Sequence, residues 1–165
     1  MSSVEDPLVL GIGLAVSFAV SFGAAAVGSR STMASVTTWY VGLRKPDWVP
    51  SGGTIGLVWS VLYVLMAVSA WLVWREQGFG AWVPLALFGL QLVLNSLWSI
   101  LFFGRRNPRA ALQEIALLWL AILATLVSSW IVTPLGGLLL LPYLAWVTFA
   151  ANLNRVLWRM NRETA

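Results

Sequence analysis

The stretch from Trp39 to Tyr63 reads WYVGLRKPDWVPSGGTIGLVWSVLY and joins an aromatic, basic segment to a long apolar one. Proline fixes φ and disfavours helix in the residue before it, so Lys45-Pro46 and Val49-Pro50 are predicted to lie outside any helix. The apolar part is long enough to predict a helix that begins near Ile55. We therefore predict a stiff loop at the end of a hydrophobic helix.

The aromatic residues of this loop allow two interpretations. Trp39, Tyr40 and Trp48 are typical of the belt of Trp and Tyr found where a membrane protein meets the lipid headgroups. The alternative is a lid over a cavity, whose wall would include Trp59 and Tyr63 because these residues lie one helical turn apart on one face. The sequence of the loop is compatible with both the aromatic belt and the lid.

The composition is that of a membrane protein. Of the 165 residues, 59% are hydrophobic and only 10% are charged, and the mean hydropathy is +0.83. Soluble domains carry charge on about a quarter of their residues. The sequence has no cysteine and no histidine, which removes disulfides, thiolate ligands, the usual general base and the commonest metal ligand. No metal site and no Ser-His-Asp triad is expected.

The apolar segments predict an all-α fold, an integral membrane bundle of five transmembrane helices within one domain over residues 1–165. Each segment is close to the length that a bilayer core requires, and helices satisfy their own backbone hydrogen bonds in lipid. The predicted helices cover residues 8–28, 55–74, 82–103, 110–131 and 138–157. The first is expected to be retained rather than cleaved, since no basic residue precedes it.

The first predicted helix carries small residues at a spacing of four, which lets helix backbones approach closely. These residues are Gly13, Ser17, Ser21 and Ala25. We expect them to pack against a neighbouring helix of the same chain, with a dimer interface as the alternative. The stretch from Ser31 to Thr38 is predicted to be a polar connection.

The basic residues predict the orientation of the chain in the membrane. With five spans, one side of the membrane holds only Arg75, and the other holds Arg30, Arg44, Lys45, Arg105, Arg106, Arg109, Arg155, Arg159 and Arg162. Loops rich in Lys and Arg stay in the cytoplasm. We expect a bacterial cell membrane protein with its N-terminus outside and with its C-terminus and the loop between helices 1 and 2 in the cytoplasm. This topology explains the basic charge, so no nucleic-acid partner is expected.

Polar residues inside the predicted spans also allow two interpretations. Gln91, Asn95 and Asn154 could form hydrogen bonds between helices, worth about 0.6–2 kcal/mol each. Alternatively, they supply directional polar groups in a ligand cavity, because each lies on a stripe with a large ring such as Trp98 or Trp146. Glu114, near the start of the fourth helix, is predicted to interact with the helix dipole or with a nearby arginine.

Four blocks of sequence together resemble one family, the tryptophan-rich sensory protein or translocator protein family (TspO/MBR), which includes the peripheral benzodiazepine receptor. The blocks lie in order between about Trp39 and Arg159. They are Trp39-Tyr40 with Lys45-Pro46-Asp47-Trp48-Val49-Pro50, Gly56 to Tyr63, Gln91 to Trp98 with Phe102-Phe103-Gly104, and Pro142 to Trp146 with Asn152-Leu153-Asn154.

The resemblance implies a five-helix bundle, commonly a homodimer, with a ligand cavity beneath the loop between helices 1 and 2. It implies porphyrin-type ligands such as protoporphyrin IX and haem, and also sterols and benzodiazepine-type ligands. The positions that match the family's ligand-binding residues are Tyr40, Trp59, Tyr63, Asn95, Trp98, Phe102, Trp146 and Ala150. The positions that match its lid are Trp39, Lys45, Pro46, Trp48 and Pro50.

One position departs from the family's pattern. Animal members carry a Tyr shortly before a basic residue near the C-terminus, in a motif proposed for sterol contact. Arg155 stands where that Tyr would be. We therefore expect a porphyrin-type role rather than tight sterol binding.

Three functions are compatible with these features. The first is a membrane receptor or carrier that binds tetrapyrroles, namely porphyrin or haem, as its ligand. It would need no cofactor and would be surrounded by membrane lipid. The second is an enzyme that degrades porphyrin with light and oxygen, in which Trp59 or Trp146 would be the redox partner because the chemistry must come from the ligand itself. The third is a protein that sequesters partners in the membrane.

Overall fold

The computed structural model describes residues 6–162, which form helices and connecting turns without any strand. Four segments in this range are long and apolar enough to cross a membrane: Pro7–Val36, Gly52–Gly104, Pro108–Val132 and Pro134–Met160. The prediction of an all-helical membrane protein is confirmed. The count of five crossings stays a prediction.

The individual helices are α1 (Pro7–Val36), α2 (Gly52–Gln77), α3 (Trp82–Ser99), α4 (Pro108–Val132), α5 (Pro134–Leu138) and α6 (Leu141–Met160). The turn between α2 and α3 passes through Gly78, whose φ of 55° favours glycine. The predicted last helix, 138–157, is replaced by the short α5 and by α6, which ends three residues later.

Helix α1 is longer than predicted, because residues 31–36 continue it instead of forming a connection. No proline or glycine lies between Gly28 and Val36, and the hydroxyl groups of Thr32 and Ser35 bond to backbone carbonyls. Thr32 donates to the carbonyl of Gly28 at 3.2 Å. Ser35 donates to the carbonyl of Phe103 at 2.7 Å, which ties the end of α1 to the segment after α3. The predicted polar connection is therefore wrong up to Val36.

Small residues let α1 pack against its neighbours in the same chain, as predicted. A Cβ atom at Gly13 would overlap the ring of Trp74 on α2. The indole of Trp71 donates to the carbonyl of Leu10 at 3.0 Å, and the hydroxyl of Ser96 on α3 donates to the carbonyl of Ala24 at 3.2 Å. Helix α1 therefore lies against α2 and α3, while α4 packs between α3 and α6.

The connection between α1 and α2 contains one short 3₁₀ turn, Tyr40–Gly42, and is otherwise irregular up to Ser51. Ser51 caps α2, because its hydroxyl accepts a hydrogen bond from the N–H of Thr54 at 3.1 Å. The prediction that the two X-Pro pairs lie outside a helix is confirmed. We call residues 39–50 the lid loop. It lies at the same end of the molecule as the C-terminal end of α6.

Candidate functional site

A hydrogen-bonded chain of buried side chains joins α2, α3 and α6 in the centre of the bundle. The hydroxyl of Tyr63 donates to Asn95 Oδ1 at 2.7 Å, and Asn95 Nδ2 donates to the hydroxyl of Tyr143 at 3.1 Å. Tyr143 in turn donates to Gln91 Oε1 at 2.9 Å, and Gln91 Nε2 lies 3.8 Å from the sulfur of Met66. We call these five residues the central network. They are all buried, so its polar groups are used between helices.

A second buried amide lies closer to the lid loop. Asn154 Oδ1 accepts from the indole N–H of Trp98 at 3.1 Å, and Asn154 Nδ2 donates to the carbonyl of Pro108 at 2.8 Å. This side chain joins α3, α4 and α6. The interhelical interpretation of Gln91, Asn95 and Asn154 is confirmed by these contacts.

The first part of the lid loop packs onto an aromatic cluster at the end of α3. The ring of Trp39 lies 5.7 Å from that of Phe102, and the ring of Tyr40 lies 5.6 Å from that of Phe103. Trp98 stacks on Phe102 at 5.3 Å. Burial raises the pKa of the Tyr40 phenol, so this group stays neutral at physiological pH.

Lys45 is held against this cluster by local contacts. Its ammonium lies 4.7 Å from the centre of the Tyr40 ring, a distance at which a cation is attracted by the face of the ring. It also donates to the carbonyl of Val41 at 3.1 Å. The lysine is therefore fixed at the surface of the lid loop and points no charge into the bundle.

A cavity of about 570 Å³ lies between α2 and α6 and is open at the surface of the bundle, where Leu57 and Val61 are half or more exposed. Its wall is almost entirely apolar and consists of Leu57, Val58, Val61, Leu62, Leu65, Pro142, Ala145, Trp146 and Phe149. Trp48 of the lid loop contacts this wall, because its ring lies 5.8 Å from that of Phe149. The cavity thus lies beneath the second half of the lid loop and has a volume ordinary for a small-molecule site.

One polar group on the cavity wall has no partner. The indole nitrogen of Trp146 is buried and makes no hydrogen bond with any described residue. Its ring packs 5.2 Å from that of Phe149. A buried donor that is left unsatisfied costs free energy, and most buried indole N–H groups have a partner. The protein therefore leaves the indole donor of Trp146, next to the cavity, without an acceptor.

The structure divides the sequence-predicted ligand-binding residues among three places. Among the described residues that line the cavity, Trp146 is the predicted one. Trp59 lies next to the central network, with its ring 6.1 Å from that of Tyr143. Tyr63 and Asn95 belong to that network, whereas Tyr40, Trp98 and Phe102 belong to the aromatic cluster at the lid loop. Trp59, Trp98, Trp146 and Ala150 are all partly buried against one common core.

The structure corrects the prediction for Glu114. Neither carboxylate oxygen of Glu114 has a hydrogen-bond partner among the described residues, and the side chain is only 4% exposed. The reason is its place on α4, on the buried face with Ala111 and Leu118, whereas Arg105, Arg106 and Arg109 are exposed. A pairing with an arginine is therefore wrong.

Phe149 and the α2 residues of the cavity wall were not predicted. Pro142, Trp146 and Phe149 follow each other at spacings of four and three, which places them on one face of α6. That signal was present in the sequence, but the neighbouring stripe of Trp146, Ala150 and Asn154 has the same period. On α2, the wall is made of plain aliphatic residues such as Leu57 and Val61, which nothing in the sequence distinguishes from residues that face lipid.

A second apolar cavity, of about 360 Å³, lies between α1, α2 and α3 at the opposite end of the molecule. It is lined by residues such as Val9, Trp74 and Phe79. The unpaired indole of Trp146 and the contact with the lid loop distinguish the α2–α6 cavity as the candidate site.

Comparisons with known proteins agree with the resemblance seen in the sequence. Residues 15–159 match the model of the TspO/MBR family. The chain is 44% identical over 138 residues to the translocator protein of Homo sapiens, a match that covers 82% of each chain. It is 40% identical over 150 residues to protein CrtK of Rhodobacter capsulatus, covering 87% of this chain and 92% of that one.

A third relative is the tryptophan-rich sensory protein of Cereibacter sphaeroides, with 35% identity over 140 residues, which are 83% of this chain and 87% of that protein. The matched region includes the lid loop, the central network and both walls of the α2–α6 cavity. With its long apolar helices, this chain is an integral membrane protein that belongs to the TspO/MBR family.

Proposed function

We propose that this protein is a membrane receptor or carrier that binds porphyrin-type tetrapyrroles in the α2–α6 cavity. The observation that carries the proposal is the unpaired indole N–H of Trp146 on an otherwise apolar wall. A flat macrocycle gains from contact with indole and phenyl rings, and a single donor fixes its orientation. Two relatives are named a translocator protein and a sensory protein, and these names support a ligand-binding role over a purely structural one.

The charge at this end of the molecule favours a ligand with carboxylates. A porphyrin carries its propionates on one edge, and charge-assisted hydrogen bonds to arginine and lysine are the strong ones. The exposed side chain of Arg44 extends from the lid loop, and Arg105 and Arg106 follow α3 at the same end. We propose that the propionates face these residues while the macrocycle lies deeper, against Trp146.

We propose five crossings of the membrane, with the segment Gly52–Gly104 crossing twice. Its 53 residues would extend about 80 Å as one straight helix, whereas a bilayer core is about 30 Å thick. The glycine turn at Gly78 divides it into α2 and α3. With the N-terminus outside, the lid loop and the end of α6 then lie in the cytoplasm of a bacterial cell, and the protein forms a homodimer.

Filling the cavity tests the site. Val61 lies on the cavity wall, so Val61→Trp places an indole in the space that the macrocycle would occupy. Val93→Trp on α3 is the matched control, since Val93 is 65% exposed and lies outside the cavity. Titration of detergent-purified protein with protoporphyrin IX, followed by fluorescence, should show binding to the wild type and to Val93→Trp, and binding at least tenfold weaker to Val61→Trp. Equal affinity of all three proteins would refute the α2–α6 cavity as the site.

A further inference from the structure

The side chain of Asn161 joins the end of α6 to the lid loop across 117 residues of sequence. The N–H of Arg44 donates to Asn161 Oδ1 at 2.9 Å, and Asn161 Nδ2 donates to the carbonyl of Arg44 at 3.0 Å. The same Nδ2 also donates to the carbonyl of Leu157 at 2.8 Å. An amide that pairs with both backbone groups of one residue imitates the pairing of two antiparallel strands. We call this pairing the Asn161 clamp.

The clamp differs from the other polar contacts of the lid loop. The Lys45 ammonium bonds to carbonyls of the loop itself. The N–H groups of Gly42, Leu43 and Val49 each bond to the carbonyl three residues earlier in the loop. Among the hydrogen bonds of the described residues, only those of the clamp connect the lid loop to a helix of the bundle. They are also shielded, because Asn161 is only 5% exposed.

The clamp lies between the two aromatic contacts of the lid loop. Before Arg44, Trp39 and Tyr40 pack on Phe102 and Phe103; after it, Trp48 packs on Phe149 at the cavity. Ring contacts tolerate sliding, whereas two hydrogen bonds to one residue fix its distance and direction. The clamp therefore resists any movement of the loop that carries Arg44 away from the end of α6.

We propose that Asn161 is a positioning residue that holds the lid loop closed and thereby sets the rate at which a ligand enters and leaves. The part that concerns the ligand rests on the proposed function, whereas the closure of the loop does not. A residue of this kind changes the association and release rates together, because it acts on the opening of the loop and makes no contact with the ligand. The dissociation constant then changes little.

Opening of the lid loop can be measured without any ligand. The sequence has no cysteine, so Leu157→Cys introduces the single thiol of the chain at a position that is 2% exposed and lies in the cluster beneath Trp39 and Tyr40. A water-soluble maleimide labels this thiol when the loop lifts or when the last turn of α6 opens, because Asn161 also bonds to the carbonyl of Leu157. Amide hydrogen exchange of residues 158–160 in the same variants reports the opening of that turn and separates the two. In the Leu157→Cys background, Asn161→Ala is compared with Asn107→Ala, which removes an asparagine that caps α4 and lies outside the lid loop.

We expect Asn161→Ala to raise the labelling rate about tenfold, since the two hydrogen bonds to Arg44 are lost together with the one to Leu157. Asn107→Ala should leave the rate within about twofold of the parent, because a cap acts on its own helix. Asn161→Asp, which keeps the acceptor for the Arg44 N–H but loses the donor, should lie between the two. This variant also serves if Asn161→Ala does not yield folded protein, as judged by its circular dichroism.

The outcome separates the clamp from the proposed function. Equal labelling of the Asn161 and Asn107 variants would overturn the clamp, even if protoporphyrin IX binds. Faster labelling without any binding of protoporphyrin IX would retain the clamp and reject the proposed ligand. If labelling is faster and protoporphyrin IX also binds, stopped-flow mixing of Asn161→Ala with protoporphyrin IX should show the association and release rates each rising about tenfold. A tenfold change in the dissociation constant would instead make Asn161 a ligand contact and overturn the positioning role.

Discussion

The central network and the wall of the α2–α6 cavity both place polar groups within the apolar bundle, but they use them differently. Asn95 bonds to Tyr63 on one side and to Tyr143 on the other, so both ends of its amide are satisfied by protein. The indole N–H of Trp146 has no such partner. A satisfied buried group holds helices together, whereas an unsatisfied one at a cavity is available to a ligand. The two regions are therefore expected to respond in opposite ways to mutation.

The largest effect is expected in the central network. Asn95→Ala removes two hydrogen bonds and leaves two buried tyrosine hydroxyls with fewer partners, so the free energy of unfolding should fall by about 2 kcal/mol. Thermal melting of the purified protein measures the change. Asn152→Ala, at an exposed position of α6, should have an effect below about 0.5 kcal/mol. An Asn95→Ala variant as stable as the wild type would show that the network contributes nothing to the fold.

A comparable effect on stability is expected at a glycine where the bundle has no space for a side chain. A Cβ atom at Gly137 would lie 2.9 Å from Trp130 Cα and 3.0 Å from the carbonyl oxygen of Leu126, which are backbone atoms that cannot yield cheaply. Gly137→Ala should therefore lower the stability by about 1–3 kcal/mol.

The control for this substitution is Gly89→Ala. A Cβ atom at Gly89 would meet nothing within 4 Å, and alanine favours a helix over glycine by about 1 kcal/mol. Gly89→Ala should leave the melting temperature unchanged or raise it. If Gly137→Ala were equally neutral, the close approach of the turn before α6 to the end of α4 would be incorrect.

The smallest difference is expected between two ligands. Haem and metal-free protoporphyrin IX should bind with dissociation constants within about threefold of each other, because the sequence offers no His or Cys to ligate the iron. Parallel absorbance titrations measure both. Much tighter binding of haem, with the spectrum of a defined axial ligand, would contradict binding of the macrocycle by ring contacts and a single donor.

Composition and periodicity were sufficient to predict the helical membrane fold and the irregular lid loop, and they left hydrogen bonding between helices as one of two interpretations for Gln91, Asn95 and Asn154. These features depend on local rules, namely the length of apolar runs, the restrictions of proline and the cost of unpaired polar groups in lipid. The extension of α1 to Val36 was missed because serine and threonine are typical of connections. Here the hydroxyl of Thr32 bonds to the carbonyl of Gly28 in the same helix, and that of Ser35 bonds to the carbonyl of Phe103 after α3.

The site itself was harder to predict. Trp98 and Trp146 carry equally conspicuous rings, but Trp98 donates to Asn154 while Trp146 has no acceptor nearby. That difference depends on which helices are neighbours, and spacing along one helix does not contain it. The Asn161 clamp was missed for the same reason, since an asparagine just after a helix reads as an ordinary end of that helix.

The central claim is that Trp146 is left unpaired in order to bind a ligand, and Trp146→Phe tests it most directly. The variant keeps a ring on the cavity wall and removes the N–H group. Binding of protoporphyrin IX should weaken about tenfold, the value of one hydrogen bond in a dry site, while the ligand-free protein should melt at the same or a slightly higher temperature because a buried unpaired donor is gone. Trp82→Phe, at a tryptophan that is 69% exposed, should change neither quantity. Unchanged affinity in Trp146→Phe, or a loss of stability without a loss of affinity, would contradict the account.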